Sequence, residues 1–171
     1  MLSDNVGSAD NQQAAGREIS NEYLAGFTDG EGSFLVSFSK RNKMSTGIEV
    51  RPAFTVSQHE RSKEILLVLQ RFFRCGTVRF NKRDRTWKYE VRSLDDLITK
   101  IIPHFNRYPL KTSKRKDFLL FKTICLLMEK RTHLTIKGIQ HIIRIAYDMN
   151  NVGARRYPKD SLLQSAGKMK V

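Results

Sequence analysis

Residues 33–40 and 48–58 largely alternate apolar and polar side chains, and the segment between them, Arg41 to Gly47, is a turn of Asn, Lys, Ser, Thr and Gly. A period of two sends alternate side chains to opposite faces of a strand. The two stretches therefore predict an antiparallel hairpin with one face to bury. Phe34, Val36 and Phe38 share that face with Ile48, Val50, Pro52, Phe54 and Val56. Ser33, Leu35, Ser37 and Ser39 lie opposite, with Glu49, Arg51, Ala53 and Thr55. Pro52 cannot donate to a ladder and predicts an irregularity or an unneeded N–H.

A second strand pair is expected at Thr77–Asn81 and Arg85–Arg92 around Lys82-Arg83-Asp84. Each hairpin follows a helical pattern. Asn21–Asp29 starts at the N-cap candidate Ser20; Ser62–Arg74 carries the stripe Ile65, Val68, Leu69, Phe72 and Phe73 and stops at Gly76. Ser93 caps another helix with Leu94, Leu97, Ile98 and Ile101, expected to end near Pro103. Longer helices follow at Ser113–Lys130 and Thr135–Asn150, and a short one is expected near the end. This order predicts an α+β fold, with helices covering one face of an antiparallel sheet. Residues 1–19 are polar and rich in small side chains and read as a disordered tail. Residues 20–150 form the expected domain, and residues 151–171 a basic C-terminal extension.

The sheet's second face matters because of the charge balance. Lys and Arg number 31 against 17 Asp and Glu, a formal net charge of +14. The tail is slightly acidic, so the surplus lies wholly on the part expected to fold. Arg51, Arg79, Lys88 and Arg92 recur on the exposed face, beside Asn81, Ser37 and Thr55. A solvated sheet face is polar in any protein. A basic face repeated over four strands is better explained by phosphates and base edges, since a two-stranded ribbon can enter the major groove. No run is long and apolar enough for a membrane span, and Met1–Ala15 lacks the apolar region of a secretory signal. Cys75 and Cys125 are far apart and predict buried, reduced thiols of an intracellular protein. None of the four histidines has metal-ligand spacing.

The chemistry concentrates in Leu24-Ala25-Gly26-Phe27-Thr28-Asp29-Gly30-Glu31-Gly32. Glycine inside a helix costs about 1 kcal/mol against alanine, so Gly26 and Ala25 imply a close neighbour, most simply a second helix. Gly30 and Gly32 bracket Glu31 where helix turns into strand, and are expected to ease the exit and leave carbonyls free. A carboxylate at the negative end of a helix is unfavourable unless a cation joins it. Carboxylate with backbone carbonyl is the ligand set of Mg2+ or Ca2+.

This stretch resembles the LAGLIDADG motif of homing endonucleases, with only Thr28 a less usual residue. Phe54-Thr55-Val56-Ser57-Gln58 and Tyr108–Phe118 extend the resemblance, which covers about Ser20–Met149. It implies an αββαββα fold whose curved antiparallel sheet forms a DNA-binding saddle, followed by C-terminal helices. It implies a metal-dependent endonuclease, with Mg2+ as cofactor, that cuts both strands and leaves short 3′ overhangs, promoting intron mobility. Only one motif is present, so the resemblance implies a homodimer, joined through Leu24, Ala25, Gly26 and Phe27, on a long pseudo-palindromic site. It assigns Glu31 and the Gly30 carbonyl to the metal, Gln58 to the attacking water, and either Lys111 or Lys114 to the phosphate charge. Asp29 is expected to cap or pack locally. Sequence reading falls to Ser33, Leu35, Ser37, Ser39, Arg41, Glu49, Arg51, Thr55, Arg79, Asn81, Lys88, Glu90 and Arg92. By resemblance the compartment is an organelle, a chloroplast or mitochondrion. An RNA maturase on the same fold, aiding intron splicing, is the alternative; retention of Glu31 favours the nuclease over any pure binder.

Overall fold

The computed structural model describes residues 19–82, 84–149 and 155–167. Helix α1 (Asn21–Glu31) leads directly into β1 (Gly32–Lys40) and β2 (Ile48–His59). A 3-10 turn then opens α2 (Lys63–Phe73), followed by β3 (Thr77–Asn81) and β4 (Thr86–Val91). Next come α3 (Leu94–Asp96), a π-helical stretch over Leu97–Ile101, and α4 (Ile102–Arg107); the remaining helices are α5 (Lys114–Glu129), α6 (Ile136–Tyr147) and α7 (Lys159–Ser165). The sheet runs β1-β2-β4-β3, antiparallel throughout, so β2 and β4 are its central strands. This is the expected αββαββα order with further helices after it. Among the described residues, no helix is long and apolar enough to cross a membrane.

Alternation fixes which face is covered. Phe34, Val36, Phe38, Ile48, Val50, Phe54 and Val56 are all buried beneath the helices. Phe34 is the hub: its ring lies 5.2 Å from Phe54, 5.5 Å from Phe105, 5.2 Å from Phe118 and 5.3 Å from Phe121, so sheet, α4 and α5 share one aromatic cluster. Pro52 lies opposite Val36, in the stretch of β2 that precedes its pairing with β4 at Phe54. One neighbour fewer there is what a missing N–H tolerates. On α2 the buried side chains are Leu66, Leu69 and Phe73; Phe72 is exposed, so the covered stripe is rotated from the expected one.

Two helix ends differ from expectation. The third helical segment does not stop near Pro103 but continues to Arg107. A proline ring meets the carbonyl four residues back and offers no N–H. The π-helical stretch widens the turn just before it, with the Ile102 N–H donating to the Leu97 carbonyl, so the rod passes the proline unbroken. Helix α1 runs on through Gly30 and Glu31 rather than ending at Asp29. Gly32 closes it in an ordinary extended conformation, φ −79°. Its glycine serves close packing instead: a Cβ there would sit 2.6 Å from Thr28 Cγ2 and 2.9 Å from the Thr28 carbonyl.

The expected tail, residues 1–18, lies outside the described residues; Ile19 packs against the core. Within the C-terminal extension, Leu162 and Ala166 of the α7 region join that same core. The Arg155 guanidinium stacks 4.5 Å from the Tyr147 ring and donates to the Ala146 and Met149 carbonyls at the end of α6. Cys75 and Cys125 are free thiols, and burial pushes the Cys125 thiol up to about 12.

Candidate active site and nucleic-acid interface

Helix α1 ends with carbonyls short of intrahelical partners, although Thr28 accepts from the Gly32 amide, and α5 supplies a further donor. Lys114 Nζ donates to the carbonyls of Asp29 at 2.7 Å, Thr28 at 2.9 Å and Gly30 at 3.3 Å. Burial lowers the Lys114 pKa, against the raising effect of Asp29 and Glu31 nearby. The contact is returned. Asp29 accepts from the Lys111 amide at 2.5 Å, the Thr112 amide at 3.3 Å and the Thr112 hydroxyl at 2.7 Å. Burial alone would raise the Asp29 carboxyl, but these hydrogen bonds and the Lys114 charge hold it below its usual value. The C-terminus of α1 and the N-terminus of α5 thus cap one another. Rather than the local cap or packing residue expected, Asp29 binds the remote segment just before α5, through Lys111 and Thr112. Of the two candidate lysines, Lys114 is the one whose ammonium reaches the α1 terminus; Lys111 contributes its amide.

Glu31, the last residue of α1, is exposed. Gly32 pairs with Val56, so Glu31 and the half-buried Gln58 stand at the same end of the β1–β2 ladder. The structure therefore brings Gly30, Glu31, Gln58 and Lys114 to one corner of the sheet. Its oxygens are the Glu31 carboxylate, the Gln58 amide and the Gly30 carbonyl, which is not free as expected but already accepts from Lys114 at 3.3 Å; hard oxygens of this kind suit a divalent cation of the Mg2+ or Ca2+ kind.

The motif helix corrects the expected subunit contact. Leu24 is fully buried in its own protomer and Ala25 nearly so, hence neither forms the outer face. That face carries Tyr23, Gly26, Phe27 and Gly30. Tyr23 and Phe27 stack at 6.2 Å, and a Cβ added at Gly26 or Gly30 would meet nothing within 4 Å.

The register places the expected sheet-face residues within the strands on one side, while Arg41 and Arg92 lie just beyond the ends of β1 and β4. Ser33 pairs with Thr55, Leu35 with Ala53, Ser37 with Arg51 and Ser39 with Glu49; Thr55 pairs with Glu90, and Arg79 with Lys88. Ser57, His59, Thr77 and Thr86 share that side and were absent from the sequence-based set. Counting in twos along β2–β4 would have found them. Thr55 and Glu90 are corrections of another kind: at 5% and 8% exposure they lie beneath their neighbours and cannot themselves reach a groove. Glu90 instead binds Arg79 at 2.6 Å and Arg92 at 3.0 Å, whereas the more open Glu49 binds Arg51 at 2.6 Å and Arg41 at 2.9 Å. Hydrogen bonding to Arg51 leads in holding the Glu49 carboxyl below its usual value. Asn81 is held by Asp84 at 3.0 Å, and Ser37 donates to the Arg51 carbonyl at 3.3 Å.

Residues 24–125, most of this architecture, match the family described as LAGLIDADG endonuclease. The chain belongs to that family. A probable intron-encoded endonuclease 2 of Neurospora crassa is 32% identical over 134 residues, 77% of this chain and 29% of that protein. The chain thus spans under a third of that relative's length. The solved homing endonuclease I-TnaI superposes with a TM-score of 0.79 at 35% identity, covering 90% of this chain and all of that one. I-SmaMI, solved on an uncleaved DNA target in the presence of calcium ions, gives a TM-score of 0.79 at 30% identity, over 86% of this chain and 49% of that one. In LAGLIDADG terms, Glu31 is the motif's second acid and Asp29 its first, and the structure separates them: one exposed, one engaged as a cap.

Proposed function

We propose that this chain is a homing endonuclease that acts as a homodimer on a long, nearly palindromic DNA duplex. It hydrolyses both strands with Mg2+, leaves short 3′ overhangs and so promotes the mobility of an intron in an organelle genome. The observation that carries this reading is the corner of Glu31, Gly30, Gln58 and Lys114 at the end of a helix whose outer face is open. Single motif and open face together support pairing of two copies through Tyr23, Gly26, Phe27 and Gly30. The correspondence of this chain to about half of the I-SmaMI chain (49%) supports the same stoichiometry.

The carboxylate of Glu31 and the carbonyl of Gly30 would hold the cation, with the same pair from the second copy. A divalent ion there activates water and neutralises charge on the phosphate. Gln58 orients the attacking water through its amide. Lys114 places a cation beside the scissile phosphate, where negative charge grows as the 3′ oxygen leaves. The capping exchange between Asp29 and Lys114 fixes the corner before substrate arrives. Basic side chains of the sheet supply affinity through phosphate contacts and position the duplex.

Incubating the protein with a randomised duplex library in Mg2+ and sequencing the cut ends tests the proposal. The expected result is a discrete site cut on both strands, abolished by a chelator. Binding to intron RNA with no cleavage of any duplex would replace the nuclease by the maturase reading.

A further inference from the structure

Acids are out of place on a surface meant for phosphates, yet the sheet face carries two in matching arrangements. Glu49 binds Arg51, two residues on, and Arg41, just beyond the first strand of the same hairpin. Glu90 binds Arg92, two residues on, and Arg79 from the first strand of the second hairpin. The same device therefore stands once in each αββ unit. Glu90 lies between Thr55 of β2 and Thr77 of β3, whereas Glu49 lies on the stretch of β2 that pairs only with β1, opposite Ser39. With two arginines per carboxylate each cluster remains cationic, so the acid sacrifices little attraction.

The bonds used leave a specific remainder. Arg41 donates Nε to Glu49, so its Nη1–Nη2 fork has no partner among the described residues; Arg79 spends one Nη2 proton on Glu90 and keeps one fork, its other Nη2 proton with either Nη1 or Nε. A guanidinium held by a carboxylate with a free fork matches the O6 and N7 acceptors of guanine. Separation follows from register. Glu90 lies beside Thr55 of β2, and Glu49 is six residues away along that strand. At about 3.3 Å per residue the clusters stand about 20 Å apart, which is about six base pairs at about 3.4 Å of rise.

We propose that Glu49 and Glu90 are positioning residues for sequence reading, holding Arg41 and Arg79 against two guanines about six base pairs apart in each half-site. This rests on the nuclease reading above. The Glu90 cluster is the inner one, because Thr55 pairs with Ser33 next to the α1 corner.

The experiment is selection of randomised duplexes by binding to the full chain in Ca2+, with sequencing of the bound pool. Wild type is expected to enrich the guanine pair at the stated spacing. Arg79→Lys keeps the charge but loses the fork, and should reduce guanine enrichment about tenfold or more at the inner position alone. Arg41→Lys should do so at the outer position alone. Glu90→Gln should blunt the inner preference while affinity for random duplex stays equal or rises, an outcome that loss of fold would not produce. Unchanged preferences in both lysine variants would assign these arginines to phosphates and overturn the proposal. A defined site without the guanine pair would overturn it and leave the nuclease reading standing. Enrichment of no duplex at all would overturn both.

Discussion

The two αββ units begin alike and finish differently. Helices α1 and α2 are each 11 residues long, and each receives a lysine on its terminal carbonyls from a later helix: Lys114 on α1, Lys100 on the Arg74 carbonyl of α2. Lys100 is also bound by Asp96 at 2.6 Å, which neutralises it. Lys114 instead rests its ammonium on three α1 carbonyls, under the attraction of Asp29 and the exposed Glu31. Helix α2 leaves through left-handed residues, Arg74 at φ 50° and Gly76 at φ 77°, into a short strand, whereas α1 passes straight into β1 with an acid at the junction. The fold thus uses one unit for packing and keeps an exposed charged terminus on the other. The functional corner is the helix end that carries an exposed carboxylate, a charge unfavourable there unless a cation joins it.

The sharpest way to break this contrast is Glu31→Gln. It preserves shape and removes the charge that draws the cation. Cleavage should fall by orders of magnitude on both strands, while affinity in Ca2+ stays equal or rises slightly because a repulsive charge has gone. Cutting at near wild-type rate would sink the proposed chemistry. Gly26→Leu comes next: with only open space around Gly26 in one protomer, the fold should survive, but sedimentation should show monomers and DNA binding should weaken. A dimer with unchanged cleavage would place the interface elsewhere.

Smaller effects separate contact from openness along α1. Gly32→Ala drives a Cβ into Thr28 and should cost about 1–3 kcal/mol in chemical denaturation. Gly30→Ala, with nothing within 4 Å, should leave protomer stability essentially unchanged. Equal losses in the two variants would remove the packing explanation for Gly32. The smallest change concerns His104, caged by Phe72, Phe73, Phe105 and Tyr108 against the α2 side. Burial pushes its pKa down to about 4 from an ordinary 6.5. Protonation then favours the unfolded chain, so its stability contribution is full above about pH 6.5 and is lost as pH falls toward 4. His104→Phe should flatten that part of the acid-stability curve. An unchanged slope would assign it to carboxylates such as Asp29.

Strand faces were legible because alternation is a local property: a buried Phe38 and an exposed Ser37 follow from adjacency alone. The motif made Glu31 and Asp29 legible by position. Chain order also sufficed for the αββαββα arrangement and for the basic character of the open sheet face. Other features needed partners remote in the chain. Leu24 and Gly26 are two residues apart on a helix with apolar or small residues on every side, and only the packing of α1 on the sheet sends one inward and the other out. Lys111 and Lys114 are equivalent as cations; the seating of α5 against α1 brings one ammonium to the carbonyls and gives the other residue's amide to Asp29. Thr55 and Glu90 have the composition of groove readers, but cross-strand neighbours cover them and turn Glu90 toward its arginines. The physical reason is the range of the forces involved. Side-chain period, capping and turn chemistry act within a few residues, whereas burial and hydrogen-bond partnership depend on which surfaces meet, and those surfaces lie 86 residues apart for Thr28 and Lys114 and as much as 121 apart for Lys40 and Ser161.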